Sequence, residues 1–275
     1  MPSQRIRLKR SLTKGKKPLI SDLRTAELAY NVYDGSLYAK RERPGIGTDI
    51  VEIGIGVSVS NILYVSKDGN LLNSGNKLGD AKPSIRSAIE IASPGTVIKV
   101  LPGNYIENNP IFIPNNVSVI GESEREVTII PQNNDNVFYL GDGTTVENIS
   151  FSGSSNYAIF SFNPDQVVAI TKSPLIKNCT NYINTSIGLK LNGNLVSGSL
   201  KSAKVETYTQ YNQSGIGVSI SNGATAYVNN MFTICNDISS YVDGGGVCYL
   251  NSCNSIYGNY GLVADGVMIG RPADR

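Results

Sequence analysis

From Thr96 onward the sequence is a succession of apolar triplets and quartets, each bounded by Gly, Asn or Pro. They fall at 97–101, 111–113, 117–120, 127–130, 137–140, 146–151, 158–160, 167–170, 175–177, 216–220, 226–228, 247–250, 255–257 and 261–263. Segments this short cannot bury an apolar face alone, so each must stack on a copy of itself one turn of the chain away. About three short strands per coil, with coils stacked on a shared core, describe a right-handed parallel β-helix. The alternative, an antiparallel sandwich, calls for strands of about five to six residues with clean alternation and repeated two-residue turns. The fold expected is therefore all-β, with the β-helix preferred.

One helix stands out against this background, at 84–92. Ser84 is placed to cap it, Ile85, Ala88, Ile89 and Ala92 share one face, and Pro94-Gly95 stops it. Its expected role is to close the open end of the first coil, whose edge groups would otherwise recruit another chain. Asparagine is abundant in the same region, and Asn148, Asn178 and Asn251 sit beside strands. Stacked amides there can donate and accept along the coil axis and satisfy turn backbones, although ordinary exposed turn positions would fit as well.

Before residue 58 the texture differs, since Asn31 is the single asparagine in that stretch. Residues 1–57 read as a small β module and 58–275 as the β-helix. The module opens with a basic strand at 4–10, whose Ile6 and Leu8 alternate with cations. Ser21 is placed to open a short helical turn, Asp34-Gly35 to turn a hairpin over 31–39, and 49–53 to form a last strand. So few residues bury little apolar surface, which argues for self-association or a host surface.

Composition removes several functions. The 275 residues contain no His and no Trp, so His-based nucleophile systems, His-ligated metals and His pH switches are excluded. Gly (28), Ser (30) and Asn (29) make up nearly a third of the chain, which suits tight turns rather than a helical bundle. No apolar run is long enough to span a membrane, and the basic N-terminus lacks the apolar stretch of a secretory signal. Residues 1–57 carry 11 basic and 6 acidic side chains, and seven of the basic ones fall in the first 17 positions. Without aromatic interleaving this is a solvated strand or a protein-docking face rather than a nucleic-acid site. Cys179, Cys235, Cys248 and Cys253 match no zinc or Cys-x-x-Cys spacing and read as free thiols, with disulfides as the lesser option.

Several segments resemble known families. Leu63-Tyr-Val-Ser-Lys-Asp-Gly-Asn70, Pro83-Ser-Ile-Arg-Ser-Ala-Ile89, Ser93-Pro-Gly-Thr-Val-Ile-Lys-Val100, Pro102-Gly-Asn-Tyr-Ile-Glu107 and Val119-Ile-Gly-Glu122 resemble the opening of pectin-lyase-like β-helix domains. Residues 217–266, with Asn222-Gly-Ala-Thr225 and Tyr260-Gly-Leu-Val-Ala-Asp-Gly266, are similar to β-helix segments in virion proteins of tailed phages, particularly cyanophages. The first module, with Thr25-Ala-Glu-Leu-Ala29 and Asp34-Gly-Ser-Leu-Tyr-Ala-Lys40, looks like the small N-terminal module of phage tail-fibre and receptor-binding proteins. These resemblances imply a virion component of a tail fibre, tailspike or baseplate. They imply a homotrimer, joined to other virion proteins through the first module and contributing to host attachment.

Enzymes on this fold place carboxylates and cations on one outer face, so the acids are the candidates for a polysaccharide lyase or hydrolase site. The candidates are Glu122, Glu124 and Glu126 with Arg125, Asp142 with Glu147, and Asp237 with Asp243. Each set sits in or beside a turn, and none repeats at coil spacing, so no catalytic, cofactor or metal residue is assigned. A polysaccharide depolymerase remains the alternative function. Contact with host surface polysaccharide needs less, and Tyr105, Tyr139, Tyr157 and Tyr249 are candidates to stack on sugars. Neither nucleic acid nor membrane insertion is expected. The final stretch, Met268-Ile-Gly-Arg-Pro-Ala-Asp-Arg275, lacks a covering element, so a longer native product with a receptor-binding tip is expected.

Overall fold

The computed structural model describes residues 8–13, 16–33, 35–43, 47–53, 62–162, 172–193, 202–234 and 236–264. Chain contacts divide it into two compact units, Met1–Val59 and Ser60–Arg275. Residues 4–7 of the expected basic strand, Asp34 of the hairpin turn, the expected boundary at 57/58, the strand at 167–170, Cys235 and the 268–275 tail lie outside the described residues.

The first unit is a four-stranded sheet of β1 (Lys9–Ser11), β2 (Leu28–Asn31), β3 (Ser36–Arg43) and β4 (Gly47–Glu52), in that spatial order. β1 pairs parallel with β2, while β2–β3 and β3–β4 are antiparallel. Asn31 opposes Ser36, so the expected hairpin forms there. The helical turn expected from Ser21 does not form. A 3-10 turn occupies Ile20–Asp22 instead, with the Asp22 carboxylate accepting from the Leu19 backbone N–H at 2.8 Å. Leu28, Ala29 and Tyr30 go to the central strand, because alternate burial there suits a half-covered sheet. Only Leu23, Ala29 and Tyr38 are buried apolar residues among those described in this unit.

The second unit is built from parallel sheets. β5 (Ile62–Val65) precedes the helix α1 (Ile85–Ile89), and the chain then makes repeated circuits. The first circuit contributes β6 (Val97–Val100), β7 (Gly103–Glu107) and β8 (Ile111–Ile113). The second contributes β9 (Ser118–Gly121), β10 (Val127–Pro131) and β11 (Phe138–Leu140). In the next circuits the first two strands merge, giving β12 (Thr145–Phe151) with β13 (Ala158–Phe162) and β14 (Leu175–Asn181) with β15 (Ile187–Asn192). β16 (Ser202–Tyr211) with β17 (Ile216–Ser221) and β18 (Thr225–Ile234) with β19 (Ile238–Val242) follow the same plan. The last described circuit is β20 (Val247–Asn251), β21 (Asn254–Ile256) and β22 (Tyr260–Ala264). One sheet runs β20-β18-β16-β14-β12-β9-β6-β5 and the other β22-β19-β17-β15-β13-β11-β8. Every strand pair described in this unit is parallel, so the sandwich alternative is ruled out for it.

The merged strands bend at a fixed place. Asn148, Asn178, Thr207, Asn230 and Ser252 all have φ between 48° and 58° and occupy the same position in successive circuits. Asn tolerates this left-handed conformation better than most residues, which explains its recurrence. Asn178 Nδ2 donates to Asn148 Oδ1 at 3.3 Å, and Asn230 Nδ2 to Thr207 Oγ1 at 3.2 Å. Asn251 stands one residue before the bend and donates to Asn229 Oδ1 at 2.7 Å. The three asparagines singled out in the sequence thus belong to side-chain ladders along the stack.

The core between the sheets is aromatic in the middle circuits. Phe138, Phe151, Phe160 and Tyr208 form a chain of ring contacts at 5.3 to 6.3 Å, all fully or almost fully buried. Toward the later circuits one corner becomes polar. Asn181 donates to Ser186 Oγ at 2.8 Å, Asn212 to the Ser186 carbonyl at 3.0 Å, and Gln210 to the Ile216 carbonyl at 2.7 Å. With its amide turned to satisfy both ends, Asn236 continues the series by donating to Asn212 Oδ1 at 3.1 Å. The backbone must run close to this network at Gly188, where a Cβ would lie 2.0 Å from Gln210 Oε1.

Candidate binding faces

The Pro-Gly-x-Tyr-x-Glu segment at 102–107 serves the structure. Gly103, at φ +153°, lies against Lys67, where a Cβ would come within 2.6 Å of the lysine Cγ. Tyr105 is buried and its hydroxyl donates to the Leu101 carbonyl at 2.7 Å. Burial, followed by the nearby Glu107 and Asp68 charges, pushes the phenol up to about 12. Glu107 is fully buried and accepts the Ile85 backbone N–H at 2.6 Å and the Arg86 N–H at 3.3 Å. It caps α1 from 22 residues away, beside the local cap that Ser84 makes to the Ser87 N–H at 3.1 Å. Burial raises the Glu107 pKa, and the two backbone hydrogen bonds oppose that rise. α1 is shorter than its sequence pattern suggests, but Ile85 and Ala88 are completely buried over the first circuit.

The candidate acids are not gathered into one site. Glu122, Arg125 and Glu126 are exposed on the loop between β9 and β10, where the Glu126 carbonyl accepts from Gly103 N–H at 2.8 Å. The Glu124 carboxylate accepts from Thr180 at 3.3 Å, and its carbonyl accepts from the Ser150 hydroxyl. Asp142 accepts the Lys172 backbone N–H in the turn before β12, whereas Glu147 lies on β12 and pairs with Lys177 of β14 at 3.3 Å. Asp237 accepts from Asn259 at 2.9 Å. Asp243 holds a glycine turn, its carbonyl accepting from Gly246 N–H at 2.8 Å. Among the described residues no group of three or more Cys, Asp or Glu side chains could hold a metal ion. No helix among them is long and apolar enough to cross a membrane. Cys179, Cys248 and Cys253 are free, and burial pushes the Cys179 and Cys248 thiols up to about 12.

What the long sheet does present is a pair of outward faces, one on each side of the left-handed bend. Beyond the bend an apolar column begins with Ile106 opposite Ile130. After Ser152 it continues through Tyr182, Tyr211, Ile234 and Ile256. Ile106, Tyr182 and Tyr211 are exposed by 64%, 53% and 43%, and Ile256, on the last described circuit, by 40%. Tyr182 and Tyr211 touch, with ring centroids 6.5 Å apart.

Before the bend, Tyr227 and Tyr249 occupy opposed positions on β18 and β20 and stack with centroids 5.0 Å apart and planes within 4°. Of the tyrosines considered as sugar contacts, Tyr249 and Tyr157 are exposed, Tyr139 is stacked on Phe112 at 4.7 Å, and Tyr105 is internal. Tyr227, Tyr182 and Tyr211 were not singled out in the sequence. The signal that marks them is outward register beside another aromatic, and it becomes visible only once β14 is aligned with β16 and β18 with β20. In the first unit, Lys9, Arg10, Lys16, Lys17, Tyr30 and Asn31 line an open cleft of about 760 Å³. Lys9 pairs there with Glu27 at 3.4 Å.

No protein-family model matches the chain, and no curated protein matches it. Among solved structures, it is similar to ORF18 of Geobacillus virus E2, with 14% identity and a TM-score of 0.43 over 85% of this chain. It is also similar to a rhamnogalacturonan lyase, with 11% identity and a TM-score of 0.42 over 69% of this chain. The chain spans about half the length of the former, 52%, and 62% of the latter.

Proposed function

We propose that the second unit is a right-handed parallel β-helix and that the chain is a structural component of a tailed-phage virion. In this reading it forms a homotrimeric shaft in a tail fibre, spike or baseplate. Its first unit joins it to other virion proteins, and its flank contributes to contact with host surface polysaccharide. The observation that carries the shaft is the apolar column from Ile106 to Ile256. It climbs one strand spacing per circuit, about 4.8 Å each, so its natural partner is a straight surface of the same repeat. A parallel copy of the same unit supplies that repeat rung against rung, and cyclic symmetry closes the contact. The sequence resemblance of the first unit to fibre-anchoring modules supports the attachment. So does its cationic cleft, which suits an acidic protein surface.

The competing reading is a depolymerase spike. Against it stands the occupation of the acids: Glu107 caps a helix, Glu147 pairs with Lys177, and Asp142 and Asp237 hold backbone or amide donors in turns. Labelling the chain on intact particles with a specific antibody tests the assignment, and label on the tail or baseplate is expected. Particles without label would refute it. Release of reducing sugar from host envelope polysaccharide, abolished by Glu147→Gln, would favour the depolymerase.

A further inference from the structure

The outward columns before the bend change character along the stack. One column reads Thr145, Leu175, Lys204, Tyr227, Tyr249, and its neighbour reads Glu147, Lys177, Glu206, Asn229, Asn251. At β12 and β14 the second column is closed by the Glu147–Lys177 ion pair. From β16 onward no ion pair closes it among the described residues, and aromatic rings and amides take over. Tyr227 and Tyr249 are 47% and 56% exposed, and the Asn229–Asn251 amide pair stands beside them. Next to the rings an open groove of about 550 Å³ is lined by Ser173, Ser202, Lys204, Glu206, Tyr227 and Asn229.

Folding accounts for only part of this arrangement. A cross-strand aromatic pair stabilises a sheet by about 0.2–1 kcal/mol, and β-branched residues on a solvated face would serve nearly as well. Exposed parallel rings next to amides and hydroxyls are suited to a pyranose, whose C–H face packs on an aromatic ring while its hydroxyls meet polar groups. Lys204 and Glu206 offset each other, so the groove has no net charge to select a polyanion.

We propose that this groove binds a segment of an uncharged oligosaccharide, with sugar rings against the Tyr227–Tyr249 ladder and hydroxyls on Asn229, Asn251, Lys204 and Glu206. The assignment rests on the reading that this chain touches host glycan, and it places that contact on the side of the bend away from the apolar column.

The test uses the full chain against maltohexaose, cellohexaose, dextran and yeast mannan as neutral probes and polygalacturonate as the anionic one, followed by calorimetry at low and high salt. Binding to at least one neutral probe is expected, insensitive to salt, and weakened at least about tenfold by Tyr227→Ala or Tyr249→Ala. Tyr227→Phe and Tyr249→Phe keep the ring and retain most of the affinity, which guards against loss through misfolding. Leu72→Ala, on an exposed turn outside both faces, leaves binding unchanged. No binding to any neutral probe, binding to polygalacturonate alone, or binding that survives the double alanine variant overturns the site. Adsorption to purified host envelope polysaccharide separates the two levels. If the double variant adsorbs like the wild type, glycan contact stands and the groove is wrong. If neither adsorbs, both readings fall.

Discussion

Replacing Glu107 isolates the connection between the second coil strand and the cap helix. In Glu107→Ala the Ile85 N–H, bonded at 2.6 Å and buried, loses its acceptor, and the Arg86 N–H, at 3.3 Å, loses a weaker one. Stranding a buried donor costs about 1–3 kcal/mol, so the two together cost roughly 3 kcal/mol. Relief from holding a buried carboxylate returns part of that, since burial works against its charged form. A net loss of about 2 kcal/mol remains, which for a unit of this size lowers the melting temperature by about 4–8 °C. Glu107→Gln keeps an oxygen for both donors and should fall between the alanine variant and the wild type.

The sign with pH follows from the raised pKa. As pH rises from the ordinary carboxylate range toward the raised native value, the unfolded chain releases this proton while the native state holds it. Stability from this group is therefore full at the acid end of that window and declines across it. The glutamine variant should lack that decline. Differential scanning calorimetry of the three proteins between pH 4 and pH 8 measures both effects. An alanine variant melting within about 1 °C of wild type, or a glutamine variant as unstable as alanine, would refute the capping argument.

Two further outcomes follow from the stack. Asn178→Val forces a β-branched residue into the left-handed bend at φ 48°, and urea unfolding should show a loss of about 1–2 kcal/mol, whereas Asn178→Gly should be nearly neutral. Native Cys179, buried and with its thiol pushed up to about 12, should resist a thiol reagent at pH 8 and react only as the chain unfolds. Rapid labelling of Cys179 in the folded protein, mapped by mass spectrometry, would contradict its placement in the core.

The parallel sheets were legible because the apolar triplets at 97–101, 111–113, 127–130 and 216–220 keep strict inward spacing, and their strands fall where the triplets do. The cap helix was legible from Ser84 and its apolar face, though its last turn unwinds after Ile89. What escaped were strands whose inward residues are polar or small. β16 buries Gln210, β19 buries Ser239 and Ser240, and β15 carries Gly188 inward, so none contains an uninterrupted apolar run. The run at 146–151 already spanned Asn148, but continuation of the 175–177 strand across Asn178 was hidden, since an asparagine after an apolar run looks like a turn until its register is known. The binding faces were harder still. Tyr182 and Tyr211 are 29 positions apart, and Tyr227 and Tyr249 are 22 apart, so only the circuit length reveals them as neighbours. Tyr105 and Glu107 looked like candidate surface chemistry and a family mark, respectively; Glu107 proved to fasten the cap, and Tyr105 to hold the Leu101 carbonyl inside the core.

The central claim is a shaft assembled along the apolar column. Light scattering coupled to size-exclusion chromatography on the full chain tests it most directly. Three copies of the 29.5 kDa chain are expected for the wild type, and a shift to single copies for the Tyr182→Asp, Tyr211→Asp double variant. A wild-type chain that elutes as a clean monomer, or a double variant that remains trimeric, would contradict it.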